Sequence, residues 1–141
     1  MEAATGCDCL FCVGENGKRL SLISHEIADA AGLIAAARKD RVTIRATDQI
    51  FVFPGIRAVA CVRMIRRKLA RLCGCWVAPE ERGKGIGKML VCHRIAYLEQ
   101  HTSVGMIDTF AFRKGLFLNL GFVEKRSFQI GTTCCQKVVA R

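Results

Sequence analysis

The sequence lacks any apolar run long enough to cross a membrane. Its longest uninterrupted stretch of small apolar residues, Ala30 to Ala37, is far shorter than the ~20 residues of a transmembrane helix. The first residues carry Glu2 and Asp8, where a signal peptide would have a basic segment followed by an apolar one. We therefore expect a cytoplasmic protein with no membrane partner.

Internal repeats and low-complexity linkers are also absent, so nothing divides the chain into smaller units. Its 141 residues suffice for one hydrophobic core but not for two. We expect a single domain over residues 1–141. Its first 20 residues are equally compatible with a strand and with a loosely ordered arm.

Acidic residues are scarce, since 12 of them stand against 22 lysines and arginines, and the net charge is +10. No acid lies between Asp48 and Glu80. That interval contains six basic residues: Arg57, Arg63, Arg66, Arg67, Lys68 and Arg71. Such a charge favours an anionic partner, whether nucleic acid, an acidic surface or a phosphorylated cofactor. The basic run itself fits a solvated face as well as a functional patch.

Cysteine, by contrast, is abundant, because the chain has nine. Without a secretory signal a disulfide framework has no oxidising compartment, so we expect reduced thiols. The alternative is a zinc site built on an N-terminal cluster with a fourth ligand from elsewhere: Cys7, Cys9 and Cys12, completed by Cys73, Cys75 or His25. Tetrahedral zinc sites usually show two well-separated CxxC-like pairs, and for this reason no metal is expected.

Periodicity and turn residues predict alternating helices and strands. The predicted elements are a helix at Ser24–Arg38, one or two strands before Pro54, a strand ending at Val77, a helix at 88–100, a strand at 105–112, a short helix at 113–121 closed by Gly121, and a hairpin at 122–131 and 133–139. The interval Ala58–Leu72 is ambiguous, because its apolar residues fit either one helix or two strands, Arg57–Met64 and Leu69–Val77. This order indicates a mixed α/β layered domain.

A glycine-rich corner, ERGKGIGKML, joins a predicted strand to the following helix. It is not a Walker A loop, because Arg82 stands where the first glycine is needed and Met89 where Ser or Thr is needed. It also lacks the GxGxxG spacing of a dinucleotide fingerprint, since Gly83, Gly85 and Gly87 give GxGxG. Glycines that open into a helix N-terminus still favour a pyrophosphate, because backbone N–H groups converge there. A tight turn that needs glycine only for positive φ is the alternative.

The segment VAPEERGKGIGKML resembles the acetyl-CoA signature of the GCN5-related N-acetyltransferases, the GNAT superfamily. That signature runs Arg or Gln, two residues, Gly, one residue, then Gly or Ala, and Arg82, Gly85 and Gly87 occupy its positions. Downstream, LFLNLGF resembles the family's short helix that ends in Gly-Phe. Together the two motifs cover Leu69 to Lys125 in the family's order.

The resemblance implies a GNAT-like α/β (α+β) fold, with a mixed, mostly antiparallel central sheet flanked by helices and a glycine-rich strand-to-helix acetyl-CoA loop. It thereby favours two strands over one helix for Ala58–Leu72. In such proteins the strand before the loop splays from its neighbour and pairs with the pantetheine arm, while the loop amides bind the pyrophosphate. The residues implied to bind the cofactor are Trp76, Val77 and Ala78 along the arm, Arg82, Gly83, Lys84, Gly85, Ile86, Gly87 and Lys88 around the phosphates, and Phe117.

Two family features are missing. The stretch Lys68–Val77 has no glutamate to act as general base, and Phe117 stands where many members have a tyrosine that protonates the departing thiolate. A thiol of pKa ~8.5 leaves readily without that acid, but an amine of pKa ~10.4 must lose its proton before it attacks. The candidate bases are Asp108, on the strand after the long helix, and His25, at the start of the first helix; a water chain could replace both. Tyr97, the only tyrosine, lies mid-helix and is expected to pack.

We therefore expect an N-acetyltransferase that transfers an acetyl group from acetyl-CoA to a primary amine by direct attack in a ternary complex, as a monomer or homodimer. The basic N-terminal half would repel polyamines and aminoglycosides. An anionic or phosphate-bearing acceptor, whether small molecule or macromolecule, fits better: a nucleotide, a base amine of a nucleic acid, or an amino group on a protein with an acidic patch. The alternative is a non-catalytic module in which Arg57–Arg71 forms a basic amphipathic helix that binds nucleic acid.

Overall fold

The computed structural model describes residues 24–53, 55–111, 113–127 and 132–139. Their helices are α1 (Ser24–Lys39), α2 (Ile86–His101) and α3 (Lys114–Asn119). Their strands are β1 (Gln49–Phe53), β2 (Ile56–Arg66), β3 (Leu69–Val77), β4 (Met106–Ala111), β5 (Val123–Ser127) and β6 (Thr133–Val138). The predicted order of helices and strands is confirmed. None of the helices in these ranges is both long enough and apolar enough to span a membrane.

The six strands form one sheet in the order β1-β2-β3-β4-β6-β5. Each neighbouring pair is antiparallel except β3 and β4, which are parallel and are connected through the helix α2. A parallel pair needs such a crossover, whereas antiparallel neighbours can be joined by short turns. The mixed, mostly antiparallel sheet with flanking helices is therefore confirmed.

The ambiguous interval folds as two strands, and its helical interpretation is wrong. β2 and β3 form an antiparallel hairpin that turns at Arg67 and Lys68. Five consecutive residues of β2, Ala58–Val62, are buried. Because successive side chains of a strand point to opposite faces, both faces of β2 must be covered, and α1 and α2 both pack against this strand. A strand covered on both faces is apolar along its length. It therefore lacks the alternation of apolar and polar residues by which a strand is identified in a sequence.

The segment between α1 and β1 forms fewer strands than the sequence allowed. Only β1 is present there, and residues 42–45 have no regular structure. The guanidinium of Arg38 holds this segment by donating to the carbonyl oxygen of Ile44 at 2.7 and 3.1 Å. The indole N–H of Trp76, at the end of β3, donates to the carboxylate of Asp40 at 2.7 Å. The second contact connects the residue that follows α1 to β3, the strand that precedes the glycine loop.

Helix α3 ends in a Schellman motif, as its closing glycine predicted. Gly121 has φ +94°, and its N–H donates to the carbonyl oxygen of Leu118 at 3.2 Å. The N–H of Phe122 donates to the carbonyl oxygen of Phe117 at 3.1 Å, and the two rings meet edge to face with centroids 5.4 Å apart. A hydrophobic contact of this kind commonly accompanies the motif. The closing hairpin is also confirmed, with β6 inserted between β4 and β5.

A β-bulge interrupts β3 at Gly74. Opposite it, β2 advances two residues, from Val59 to Cys61, while β3 advances three, from Cys73 to Trp76. Gly74 has φ +61°, and a Cβ at this position would overlap the Sγ of Cys61. Glycine is therefore required here for the backbone conformation and for space.

We predict that Gly74→Ala destabilises the protein by at least about 2 kcal/mol, because a left-handed backbone costs an alanine roughly 1–2 kcal/mol and the new methyl group meets a sulfur atom. Gly32→Ala is the matched control, since Gly32 lies in α1 with no atom within 4 Å of its would-be Cβ. That control should raise stability by about 0.5–1 kcal/mol through helix propensity. Urea unfolding measures both, and equal midpoints for Gly74→Ala and the unaltered protein would refute the bulge.

Candidate active site

β3 and β4 separate halfway along β3. Their parallel pairing ends at Leu72 and Thr109, although β3 continues to Val77. The hydroxyl of Thr109 donates to the carbonyl oxygen of Leu72 at 3.1 Å, at the point where the strands part. Within the described strands, residues 73–77 therefore have no strand partner on the side that faces β4.

A cavity of about 460 Å³ opens between the diverging strands. It is lined by Val42, Thr43, Arg71, Leu72, Cys73, Gly74, Cys75, Arg94, Thr109, Phe110 and Phe117. This lining includes two guanidinium groups and, among the described residues, no carboxylate. The cavity therefore suits a ligand that carries negative charge where it meets these groups.

The Arg94 guanidinium reaches this cavity from α2 and is almost entirely buried, with 2% of the residue exposed. It donates to the carbonyl oxygens of Cys61 and Cys73 at 3.0 and 3.1 Å, and to that of Leu90 in its own helix at 3.1 Å. Among the described residues no carboxylate pairs with it. Arg94 thus joins β2 and β3 beside the bulge, and its charge remains uncompensated by an acid.

Arg71 and Asp108 face each other across the parallel strands β3 and β4. The guanidinium donates to both carboxylate oxygens, at 2.8 and 3.0 Å, and Asp108 is 3% exposed. The hydrogen bond from Arg71 to Asp108 raises the pKa of Arg71. The same guanidinium lies 4.5 Å from the centre of the Phe110 ring, within the range of a cation–π contact. Asp108, a candidate base, is therefore already bound by a cation at both oxygens.

The loop between β3 and α2 turns on two glycines in left-handed conformations, Gly83 and Gly85, each with φ +80°. Gly85 is the N-cap of α2, and no side chain in the described residues caps that end. Arg82 folds back so that its Nε donates to the carbonyl oxygen of Val77 at 2.9 Å. Lys84 pairs with Glu81 at 3.2 Å.

A second cavity, of about 160 Å³, lies at this uncapped end of α2. Its lining residues are Val77, Glu81, Arg82, Gly83, Gly85, Ile86 and Gly87. Unpaired N–H groups and the positive end of the helix dipole make such a corner an anion site. Glycine residues keep that corner free of side chains.

Beside the bulge, a buried cluster of polar groups links the residues just before β1 to β2 and β3. The carboxylate of Asp48 accepts from Arg63 at 2.8 and 2.9 Å and from the backbone N–H of Arg45 at 2.9 Å. The thiol of Cys61 lies 3.5 Å from Asp48 and 3.7 Å from the thiol of Cys73. Burial alone would raise the pKa of Asp48, but these hydrogen bonds outweigh it and hold the pKa below the ordinary value of 3.8.

The other predicted residues lie in the core, beside the larger cavity or outside the described residues. Trp76 and Ala78 belong to the core, and the N–H of Ala78 donates to the carbonyl oxygen of Arg57 at 2.8 Å. Phe117 lines the larger cavity, and Tyr97 packs edge to face on Phe51 as expected, with ring centroids 5.2 Å apart. The side chain of the second candidate base, at the start of α1, and the N-terminal cysteine cluster both lie outside the described residues.

Half of the six basic residues in the acid-free interval pair with acids from outside it. The pairs are Arg57 with Glu80, Arg63 with Asp48 and Arg71 with Asp108. Lys68 donates to the carbonyl oxygen of Ser103 at 3.1 Å. The interval is a hairpin of two strands, so the alternative in which it forms a basic amphipathic helix is wrong.

Sequence reasoning missed Arg94 as a lining residue, although a signal was present. The apolar face of α2 carries Leu90, Val91 and Leu98, and Arg94 falls on that same face at helical spacing. An arginine in the middle of an apolar helix face is rarely buried without a role for its donors. The Arg71–Asp108 pair left no such signal, because its members are 37 residues apart.

By sequence, the chain matches the acetyltransferase (GNAT) family over residues 14–122, which is more than half of its length. No curated protein matches it significantly. The match covers all of β1 to β4, the glycine loop and α3.

Solved structures resemble the fold at low sequence identity. N-acetylglutamate synthase from Neisseria gonorrhoeae, complexed with coenzyme A and L-arginine, is 14% identical with a TM-score of 0.60, covering 81% of this chain but only 32% of that chain. Tetrahymena GCN5 is 16% identical with a TM-score of 0.58, covering 82% and 88% of the two chains. The spermidine/spermine N-acetyltransferase SpeG from Vibrio cholerae is 14% identical with a TM-score of 0.61, covering 77% and 90%. At these identities the likeness concerns the fold.

We predict that Asp48→Asn lowers stability at pH 7 by about 3 kcal/mol, because it leaves the Arg63 charge without its buried partner. A carboxylate whose pKa is depressed on folding stabilises the protein above its unfolded pKa and loses that effect as the pH falls through its folded pKa. The unaltered protein should therefore lose stability as the pH falls below the ordinary Asp value of 3.8, and Asp48→Asn should lose less over the same range.

Glu80→Gln is the control for this acid dependence, since Glu80 is an exposed carboxylate paired with Arg57. Exposed pairs contribute little to stability, so its pH profile should follow the unaltered protein. Chemical unfolding at a series of pH values measures all three proteins. An identical acid-induced loss in Asp48→Asn would contradict the assignment to this buried pair.

Proposed function

This chain belongs to the GNAT family of acetyltransferases, and we propose that it transfers an acetyl group from acetyl-CoA to a primary amine between β3 and β4. One observation carries the proposal. The strand that loses its parallel partner after Leu72 leads directly into the glycine loop, so a cavity and an anion site lie along one strand edge. An acyl-CoA needs both, because it has a thioester at one end of its arm and a pyrophosphate at the other.

The pyrophosphate would lie at the uncapped end of α2. The backbone N–H groups of residues 83–88 supply donors there, and the helix dipole adds a favourable potential. The side chains of Arg82 and Lys84 would attract the pyrophosphate by their charge without a direct hydrogen bond to it. Arg82 already donates to the carbonyl oxygen of Val77, and Lys84 is paired with Glu81. Lys88, exposed in the first turn of α2, is free to approach a phosphate.

The pantetheine arm would lie along the unpaired edge of β3. This edge runs from the larger cavity to the loop, because Cys73 lines the larger cavity and Val77 lines the smaller one. Amide groups of the arm can pair with the backbone of this edge as a missing strand would. The side chains of Trp76 and Ala78 belong to the core. Both backbone groups of Ala78 are already paired, its N–H with the carbonyl oxygen of Arg57 and its carbonyl oxygen with the N–H of Glu81, so Ala78 lies beyond the edge that the arm can use.

In the reaction, the amine attacks the thioester carbonyl carbon, a C–N bond forms, the C–S bond breaks and CoA leaves as a thiolate. Phe117 has no proton to give, and a thiolate of pKa ~8.5 needs none. Water fits the role of base best, because both oxygens of Asp108 accept from Arg71. The proton of the amine would then pass through water in the cavity, and Asp108 would keep Arg71 in place beside it.

The acceptor would carry a negative charge near its amine. Arg71 is neutralised by Asp108, but Arg94 has no acid partner among the described residues, so the lining has a net positive charge. Repulsion by this charge disfavours polyamines, and attraction favours amines that bear a carboxylate or phosphate. SpeG, a protein of similar fold, is by name a polyamine acetyltransferase, so the lining and not the fold decides this preference.

We predict that Gly85→Val weakens acetyl-CoA binding at least about 100-fold, because the side chain would enter the anion cavity and block its backbone donors. Gly55→Val is the matched control, since Gly55 also has a positive φ of +73° with open space around it and lies outside both cavities. Titration calorimetry with acetyl-CoA measures both variants. Equal affinities of the two variants for acetyl-CoA would show that the pyrophosphate does not bind at this loop.

We predict that carboxylate-bearing or phosphate-bearing amines are acetylated at least about tenfold faster, by kcat/KM at low salt, than polyamines. Release of free CoA thiol with a panel of amines measures this directly. The advantage should shrink as the ionic strength rises, because screening weakens the attraction. Fastest turnover of polyamines, unaffected by salt, would contradict the electrostatic argument.

A further inference from the structure

Two of the cysteines face each other across the hairpin at the point where the acyl-CoA site begins. Cys61 on β2 and Cys73 on β3 are register partners, and their Sγ atoms are 3.7 Å apart. Both are free thiols. We propose that Cys61 and Cys73 form a reversible disulfide that lowers the affinity of this protein for acetyl-CoA. The effect on the cofactor rests on the proposed function, but the disulfide itself does not.

The geometry is close to that of a disulfide before any rearrangement. Directly opposed residues of an antiparallel pair have Cα atoms about 4.5–5.5 Å apart, within the range that a disulfide spans. The sulfur atoms must approach by a further ~1.7 Å to reach bonding distance. Accessible or strained disulfides are the ones that are readily reduced again, and Cys73 lines the larger cavity.

The bulge keeps space for this chemistry. A Cβ at Gly74 would overlap the Sγ of Cys61, so the glycine leaves room for that thiol. The Sγ of Cys61 also lies 3.2 Å from the carbonyl oxygen of Cys73, the same oxygen that accepts from Arg94. Moving Cys73 towards Cys61 would therefore disturb the contact through which Arg94 holds this part of β3.

The two thiols differ in access and in acidity, as a reactive thiol and a resolving thiol must. Cys73 lines the larger cavity, whereas Cys61 is fully buried. The hydrogen bond from Cys61 lowers the pKa of Cys73 against the effect of burial, and the positive charges of Arg63 and Arg94 act in the same direction. The same hydrogen bond, burial and the nearby Asp48 carboxylate raise the pKa of Cys61.

With hydrogen peroxide as the oxidant, the more accessible and more acidic Cys73 reacts first and Cys61 second. The thiolate of Cys73 attacks one peroxide oxygen, the O–O bond breaks, and Cys73 becomes a sulfenic acid while hydroxide leaves. The sulfur of Cys61 then attacks the sulfur of Cys73, the S–O bond breaks, and the hydroxyl group leaves with the proton of Cys61 as water. The pair has lost two electrons and the peroxide has gained them.

The test uses the full chain, reduced and then treated with hydrogen peroxide. Remaining thiols are alkylated, the protein is digested without reductant, and the peptides are identified by mass spectrometry. We expect a cross-linked peptide pair containing Cys61 and Cys73, lighter by two hydrogen atoms than the free peptides and abolished by dithiothreitol. Calorimetry after removal of the peroxide should show acetyl-CoA affinity at least about fivefold weaker, restored by reduction.

Variants separate the two thiols. Cys61→Ser should leave Cys73 as a sulfenic acid that dimedone traps, without a cross-link, whereas Cys73→Ser should leave Cys61 alkylated only after unfolding. Cys92→Ser, which keeps the pair intact, should form the cross-link like the unaltered protein. The peptide map of the unaltered protein decides the matter even if a variant does not fold.

Recovery of both thiols in alkylated form, or oxidation of Cys73 to a sulfinic acid without a cross-link, would overturn the proposal. A cross-link with unchanged acetyl-CoA affinity would overturn its effect on the cofactor. A reduced protein that does not bind acetyl-CoA at all would refute the proposed function and with it the effect on affinity, while the peptide map would still establish or refute the disulfide.

Discussion

The site depends on one buried cation. The guanidinium of Arg94 lies between α2 and the hairpin of β2 and β3, where it donates to the carbonyl oxygens of Cys61 and Cys73 beside the bulge. Hydrogen bonds to a charged group contribute about 1.5–3 kcal/mol each, so losing these two would weaken the hairpin beside the bulge. Arg94 thus stabilises an irregular strand that regular pairing would not maintain, and it gives the neighbouring cavity its positive charge.

The bulge in β3 lies next to the point where this strand leaves β4. Just beyond Leu72, β3 loses its parallel partner, and the free edge then leads to an uncapped helix end. A bulge re-aims backbone groups locally, and a strand without a partner leaves its own donors and acceptors available to a ligand. The larger cavity, the free edge and the paired thiols therefore all lie where β3 departs from regular pairing.

Sequence reasoning identified the glycine turn between β3 and α2 and the chain order of elements because both rest on local signals. The glycines before Ile86 and the closing Gly121 require particular backbone conformations whatever surrounds them. The bulge at Gly74 and the pairing of Arg71 with Asp108 depend on partners far away in the sequence, which no local pattern reveals. Burial on both faces of β2 likewise removed the alternation that would have separated strand from helix.

The most direct test of this account is backbone hydrogen–deuterium exchange with and without acetyl-CoA. If the cofactor lies along the free edge of β3 with its pyrophosphate at α2, amides of residues 73–77 and 83–88 should exchange more slowly in its presence. Amides of β1 and β5, at the two edges of the sheet, should be unaffected. If saturating acetyl-CoA leaves the exchange rates of residues 73–77 and 83–88 unchanged, or slows exchange on another surface instead, the cofactor does not bind along β3 and at α2.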